Sequence, residues 1–567
     1  MSLYPVPSSL ASVAPGEAGD LAGGGVMIAV RAADLVFPAG RPVSEGDRTA
    51  LAAGGTERIR SGEMTVFCKV VAIVPAKVCR DGRIRAQGSP CDHARLGLIE
   101  ERLDEVAGPD AVGRVARETR LGSMVKGIRT RLVTTPFALR AILLMTLMPD
   151  ADYGEVMTAL AGDLAAVPWA SSWHVPSPRV LSAWRQAIGP GPLQELQEQV
   201  LRAACAEHQD HDYRAVQAGD LRAGAVDGTL TRMPDTPGNR AAFGSAGTAD
   251  DSAPYPQLRS LLLTDASTRS ALGVTYGPSG GDKAQAEQGL LDRAMEEFPH
   301  LFTRDRLWIM DRNFPGAGRI SRLTGCTHVL IRVKSDIPLS RIGDFLPDGS
   351  YLADIRGGGV TVRVRVIEYW VEVEGQDVPE LFCLITDLTD HQAYPAGGLA
   401  AAYKWRWDGS ETTLREGKSA LDGAGPSTGP MFRSKSPQLV RQEHAAWITA
   451  TELVRGTARA AARQAAPARK GRRAGLPVHP REISFTAARR AAITATRNGT
   501  ATASLPRCAI IAACRAVTAG IGRCRTTIDR DRHRDHKTKA RQPFDKARRD
   551  IPTRTAKATI AICRPAA

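Results

Sequence analysis

The hydrophobic positions of this 567-residue chain change their period more than once along its length. From Leu96 they recur at helical spacing in Leu98, Ile99, Leu103 and Val106, then in an apolar run from Ala138 to Leu147 and again from Tyr153 to Leu160. Pro176-Ser177-Pro178 follows, where Ser177 is placed to cap a helix carrying Val180, Leu181 and Trp184. A Gly-Pro-Gly-Pro turn then leads to a further helix from Leu193. Two short helices around such a turn suit a DNA-reading element, although pairs of this kind more often simply fill a core. At Leu221 strands take over: Ala223–Leu230, Leu258–Thr264 and Ser270–Tyr276. Next come a helix over about Lys283–Phe298, a buried strand Leu307–Met310 ending at Asp311, a helix over about Gly316–Leu323 and a strand His328–Val333. Between Ile342 and Thr389 the pattern is wholly β, with Val360, Val362, Val364 and Val366 in plain alternation, and a helical stretch over about Gly397–Leu421 closes the series.

Three strands, a helix, a strand, a helix and a strand are the element order of a ribonuclease H-like core. The predicted class is therefore α/β: a ribonuclease H-like catalytic core with a β-rich insertion, preceded by an α-helical N-terminal domain and followed by a basic, low-complexity C-terminal tail. Residues 1–92, rich in Gly, Ala and Pro without sustained periodicity, are expected to form a poorly ordered leader. The helical, DNA-binding domain is expected over 93–215, the first part of the core over 216–340 and the insertion over 341–390. The last part of the core is placed at 391–455, and a basic tail expected to be disordered at 456–567.

Charge sharpens this division. Residues 455–567 hold 27 Lys and Arg against 6 Asp and Glu, whereas the remaining residues carry 48 against 54. A mildly acidic body with a strongly basic tail suits electrostatic tethering to a polyanion, made salt-sensitive by counterion release; a merely solvated tail has the same composition. The ten Cys include no Cys-x2-Cys pair and read as reduced thiols in a cytoplasm. Cys68, Cys79, Cys91 and His93 lack the two-by-two grouping that structural zinc favours. The most apolar stretch, Phe137–Met148, is interrupted by Arg140 and is far shorter than the roughly 20 residues of a bilayer span. With no secretory pattern at the N-terminus, the expected setting is the cytoplasm, without a membrane partner.

Two acids stand where strands end. Asp227, in Ala225-Val226-Asp227-Gly228-Thr229, and Asp311, in Trp308-Ile309-Met310-Asp311-Arg312-Asn313-Phe314, each follow an apolar run. Either alone is as readily an ordinary turn residue. Together, strands of one core can bring them to a common edge, where hard carboxylate oxygens hold Mg²⁺. Paired metals of that kind serve phosphodiester chemistry, activating the attacking oxygen and stabilising the leaving one. No Ser, Cys or His arrangement suggests a covalent nucleophile, so the attacker is expected to be water and then a DNA 3′-hydroxyl.

The third element is Tyr403-Lys404-Trp405-Arg406-Trp407-Asp408-Gly409-Ser410-Glu411, continuing to Lys418. It resembles the Tyr-x2-Arg-x3-Glu-x6-Lys signature of DDE transposases of the insertion sequence four family. Asp227-Gly228-Thr229, Asp235-Thr236-Pro237 with Asn239, Ala241-Ala242-Phe243-Gly244 and Asp311-Arg312-Asn313-Phe314 agree with the same family, and the resemblance covers residues 95 to about 455. It implies a bacterial, nucleoid-associated insertion-sequence transposase that binds element ends, cleaves them with two Mg²⁺ or Mn²⁺ ions and joins the 3′-hydroxyl ends to target DNA in cut-and-paste fashion. Asp227, Asp311 and Glu411 would be the catalytic, metal-holding acids. Tyr403, Arg406 and Lys418 would contact DNA phosphates, with Arg312 beside the second acid and Trp407 or Trp370 available to stack on an unpaired base. The implied partners are double-stranded DNA, as terminal inverted repeats and as target, and a second copy of the chain in the DNA complex.

The signature is one residue long. Four residues separate Arg406 from Glu411 where the family has three. On a continuous helix a step of four leaves two side chains about 40° apart, and a step of five about 140°. A kink at Gly409 with Ser410 capping a helix from Glu411, or a π-bulge, would restore the phase. Asp408 and Glu416 are rival third acids, but Glu411 keeps the seven-residue step to Lys418. The alternatives are an inactive remnant that only binds DNA, a structure-specific nuclease on the same core, and a purely structural helical-and-β protein.

Overall fold

A computed structural model of the chain describes residues 96, 98–118, 134–161, 175–210, 217–245, 255–280, 286–334, 337–373, 380–419, 431–464, 479–497 and 558–563, together with five strands between residues 2 and 86. The chain divides into two compact units: a helical one of residues 1–210, 231–257 and 415–520, and a strand-rich one of 211–230, 258–414 and 521–567.

In the strand-rich unit, β1 (Leu221–Arg232) is followed by β2 (Gln257–Asp265), β3 (Ala271–Pro278), α1 (Glu287–Glu297), β4 (Arg306–Met310), α2 (Ala317–Cys326) and β5 (His328–Arg332). The strands β6 (Ser340–Ile342), β7 (Tyr351–Gly357), β8 (Val360–Val373) and β9 (Glu380–Thr386) come next, then α3 (Ala396–Tyr403), a π turn (Trp407–Glu411) and α4 (Thr412–Ser419), whose residues from 415 group with the helical unit, with β10 (Ala558–Ile562) far downstream. One large mixed sheet runs β6-β7-β8-β9-β5-β4-β1-β2-β3, with β10 beside β8. β4 lies parallel to both β1 and β5, while β2–β3 and β5–β9 are antiparallel. Parallel strands are joined through helices that cover the sheet faces, which is why all of β4 is buried and its sequence after Arg306 is an unbroken apolar run.

The insertion β6–β9 is a series of antiparallel pairs. Arg365 within β8 is fully buried and pairs with Asp348. Its guanidinium also donates to Ser350 Oγ at 2.7 Å and to the carbonyls of Leu388 at 3.1 Å and Tyr394 at 2.7 Å. A buried cation satisfied on every side in this way ties the insertion to the segment leading into α3.

The helical unit contains helices at Leu98–Ala107, Ala111–Glu118, Thr135–Leu147, Tyr153–Ala161, Pro178–Ile188 and Gly191–Asp210, of which the sequence spacing predicts all but Ala111–Glu118. Ser177 is the N-cap of the fifth, but Pro178 and backbone geometry start that helix, because the Ser177 side chain makes no capping bond. Thr135–Leu147 is buried on all sides, and Arg140 in its middle is tolerated because Glu100 accepts from its Nε at 2.8 Å. Among the described residues no helix is long and apolar enough to cross a membrane.

Three segments differ from the sequence expectation. The helix Pro437–Gln464 was not predicted, and its residues group with the helical unit, whereas the sequence assigned residues up to 455 to the core. Its polar positions explain this: Gln442, Glu443, His444, Thr449, Thr451, Glu452, Arg455, Thr457 and Arg459 are all buried, so no apolar stripe marks it. Several of them pair internally, for example Arg459 with Glu452 at 2.8 Å and Gln442 with Arg185 at 3.0 Å. Burial holds His444 neutral, its pKa lowered to about 3.

In the leader, strands at Ser2–Pro5, Gly25–Pro38, Thr56–Ser61, Met64–Val78 and Ile84–Ala86 pair antiparallel. Stretches such as Val70-Val71-Ala72-Ile73-Val74 favour a strand through β-branching without the alternation that a periodicity search finds. The basic tail carries a helix, Phe485–Arg497, and β10; residues 498–557 lie outside the described residues, as do Cys79, Cys91 and His93.

Candidate active site

Parallel pairing of β1 with β4 sets Trp308 opposite Gly224 and Ile309 opposite Ala225. Asp311 directly follows β4 and Asp227 lies two residues beyond Ala225 in β1, close enough for the Asp311 charge to act on Asp227. Met310 pairs with Ile331 in β5, so Arg332 follows at the next level. Residues at one level of neighbouring parallel strands share a face of the sheet.

The two acids are held by local backbone. Asp227 Oδ1 accepts from the Gly228 N–H at 3.0 Å, and Asp311 Oδ1 from the Asn313 N–H at 2.8 Å. Desolvation raises the Asp227 pKa to about 6; Arg406 opposes the shift, while Asp311 and Glu287 add to it by repulsion. The unfolded value is 3.8, so between about pH 4 and 6 the folded state binds a proton that the unfolded state does not. Stability from this group is therefore greatest at low pH and is lost as pH rises through about 6. Lowering the pH of chelated protein from 7 to 5.5 should raise the melting temperature of the wild type more than that of Asp227→Asn. Equal responses would show that Asp227 does not titrate in that window.

The third acid arrives on the π turn. The Thr412 N–H bonds the Trp407 carbonyl, and Ser410 Oγ donates to the Arg406 carbonyl at 2.9 Å. In a π turn residues five apart stack, as residues four apart do in an α-helix. Arg406 and Glu411 consequently share one side, with Arg406 Nη2 3.8 Å from Glu411 Oε2 and Nη1 3.5 Å from Asp227 Oδ2. Of the two ways of absorbing the extra residue, the π-bulge is the one adopted, and Ser410 is not a helix cap. Gly409 fits because it lies against Ala266, whose Cα would be 3.1 Å from a Cβ at position 409.

Around this point, Tyr403 is buried, hydrogen-bonds the Arg406 side chain, and meets Phe382 and Trp407 edge-on at 6.2 and 5.4 Å. The Arg406 guanidinium lies over the Trp407 ring at 4.8 Å. Arg312 is exposed beside Asp311. Trp370 is exposed on β8, opposite Leu381. Of the rival acids, Asp408 occupies the second position of the π turn, and Glu416 sits in the helical unit, 3.8 Å from Arg455 Nε. Lys418 lies on α4 and also groups with the helical unit.

Two members of this edge were missed in the sequence. Arg332 ends β5, donates to Glu380 at 2.8 Å and lies over the Phe382 ring at 4.0 Å. Glu287 opens α1, and its carboxyl lies so close to Gly228 that a Cβ there would meet Oε1 at 2.2 Å. The one available signal was Gly228 itself, since a glycine inside a strand often marks a close approach.

Among the described residues no three His, Cys, Asp or Glu side chains are grouped closely enough to hold a metal ion as they stand. The arrangement nevertheless fits a hard cation. The Asp311 charge raises the pKa of Asp227, and the cation between Asp227 and Glu411 is the guanidinium of Arg406, whose buried Nε has no hydrogen-bond partner.

No family model matches the chain. It is 25% identical over 247 residues to Transposase InsG for insertion sequence element IS4 of Escherichia coli, a match that takes in 41% of this chain and 51% of that protein. The chain thus spans about half the length of the curated relative it matches. A solved structure of the piggyBac transposase synaptic complex with hairpin DNA covers 82% of this chain and 92% of that one, at 12% identity and a TM-score of 0.35. The match to the insertion-sequence protein bears out the resemblance to transposases carried by the three acidic segments.

Proposed function

We propose that the chain is a DDE transposase that cleaves insertion-sequence ends and transfers their 3′-hydroxyls into target DNA. What supports this reading is that Asp227 lies in β1 and Asp311 directly follows the parallel strand β4, within reach of each other's charge, while Arg406 lies 3.5 Å from Asp227 and 3.8 Å from Glu411 on the π turn. The strand order β3-β2-β1-β4-β5, with β1, β4 and β5 parallel, supports a ribonuclease H-like core. The 25% identity to an insertion-sequence transposase supports DNA as the substrate.

In this reading Asp227, Asp311 and Glu411 hold two Mg²⁺ or Mn²⁺ ions, which when bound supply the charge that activates an attacking oxygen and steadies a leaving one. The chain's own residues orient the strand. Arg406, Arg312 and Lys418 contact phosphates, Trp407 is available to stack on a displaced base, and Tyr403 steadies Arg406 from beneath. The basic tail adds sequence-independent affinity, and two copies of the chain assemble on two ends.

Incubating the protein with DNA bearing the flanking inverted repeats and Mg²⁺ tests this. Both cleaved ends and joined products are expected. Cleavage without joining would indicate a structure-specific nuclease, and binding with neither would indicate an inactive remnant.

A further inference from the structure

The end of the basic tail is part of the strand-rich unit. One edge of β8 has two successive neighbours. β7 pairs with it from Val360 as far as Val366 and stops there. From Tyr369 to Val373 β10 takes over, antiparallel, with Ile562 opposite Tyr369 and Ile560 opposite Val371, and the Cys563 N–H donates to the Glu368 carbonyl at 3.0 Å. β9 occupies the other edge of β8. Among the described residues, β10 is therefore what pairs with the backbone of this half of β8, which would otherwise be an open sheet edge.

Strand alternation decides what β10 does there. Ile560 and Ile562 are half-buried, while Ala561 between them is exposed. The two isoleucines pack against the cluster that contains Tyr369, Val371, Phe382 and Tyr403. Contact passes on from these residues to the candidate site. Tyr369 stacks on Phe382 at 5.2 Å, Phe382 meets Tyr403 and Trp407 edge-on at 6.2 and 6.4 Å, and Tyr403 hydrogen-bonds Arg406. Arg406 is the cation 3.5 Å from Asp227 and 3.8 Å from Glu411. A guanidinium held by an aromatic wall keeps its aim only while the wall keeps its place, and a displacement of about 1 Å at a reacting centre can cost a hundredfold in rate.

We propose that β10 is a positioning element of the active centre: Ile560 and Ile562 hold the wall of Tyr369, Phe382 and Tyr403 in the place from which Arg406 reaches Asp227 and Glu411. The inference rests on the transposase reading above and extends it to the far end of the chain, which the three-acid signature does not include. The strand acts through other side chains, as a removable piece added to a sheet edge.

The test compares the full chain with a chain ending at residue 557 and with the double variant Ile560→Asp, Ile562→Asp, which keeps the length of the tail and Arg564. At saturating end-bearing DNA with Mg²⁺, cleavage is expected to fall about tenfold or more in both, and to stay at the wild-type rate in the conservative double variant Ile560→Val, Ile562→Val. A synthetic peptide of residues 556–567 added to the shortened chain is expected to bind, to restore cleavage and to shift the tryptophan emission, because Trp370 lies opposite Ala561 and Trp407 belongs to the wall. The same peptide with aspartate at both isoleucine positions is expected to do none of these. Ile562→Ala in the full chain serves if the shortened chain fails to fold, and should lower the rate by itself. Wild-type cleavage in the shortened and double-aspartate chains, or a bound peptide that restores nothing, would overturn the role of β10 and leave the transposase reading standing. A full-length protein that cleaves no end-bearing DNA would overturn both.

Discussion

Asp311→Asn and Asp227→Asn are each expected to reduce DNA cleavage by roughly a thousandfold or more, because the members of a catalytic set act as a unit and loss of one forfeits most of the whole. Asparagine keeps the shape and the backbone contacts, since Oδ1 of each residue accepts from a neighbouring N–H. What it removes is the charge. The two variants differ in stability. The Asp227 pKa is raised to about 6 from 3.8 in a site shared with Asp311 and Glu287, so its ionised form destabilises the metal-free fold. At roughly 1.4 kcal/mol per pKa unit, Asp227→Asn should stabilise chelated protein at neutral pH by about 3 kcal/mol. Cleavage assays beside thermal unfolding in chelator measure both. Wild-type cleavage in either variant would remove these acids from the chemistry, whatever the melting curves show.

Gly224→Val is expected to cost the strand-rich unit about 3 kcal/mol, at the upper end of what overpacking does to a core. Gly224 is paired with Trp308 across β1 and β4, and a Cβ at 224 would lie 2.6 Å from Cζ3 of the indole ring. The ring has little room to retreat. It is fully buried, its Nε1–H donates to the Leu301 carbonyl at 3.1 Å, and Phe302 packs on it at a centroid distance of 5.5 Å. The strands that would be forced apart are the two that carry Asp227 and Asp311, so activity should fall with stability. Denaturant unfolding of the variant measures the loss, and a midpoint equal to wild type would mean that the indole moves more freely than its contacts imply.

Much of the core was legible because its strands and helices obey simple periods. The strand expected at Leu307–Met310 runs Arg306–Met310, and the helix expected at about Lys283–Phe298 runs Glu287–Glu297. Asp311 stands out because an acid directly after an apolar strand is conspicuous; Asp227 reads the same way, but β1 runs on through it to Arg232. Glu287, whose charge adds to the Asp227 shift, does not stand out, because it comes from a helix and reaches this region only through packing against Gly228. The helix Pro437–Gln464 escaped for a related reason: buried Glu443, Glu452, Arg455 and Arg459 look like solvent-facing residues until their partners are known. Hydrophobic periodicity reports which residues avoid water. It is silent on polar residues that find one another.

The π turn bears on how such chains tolerate change in length. A single residue added to an α-helix ordinarily rotates everything beyond it by about 100°. Here the surplus is taken up within Trp407–Glu411, so Thr412–Ser419 continues in phase. Insertion at this point reshapes one loop of backbone and leaves the downstream face intact. A pattern with a fixed gap would treat such a segment as broken where its backbone merely bulges.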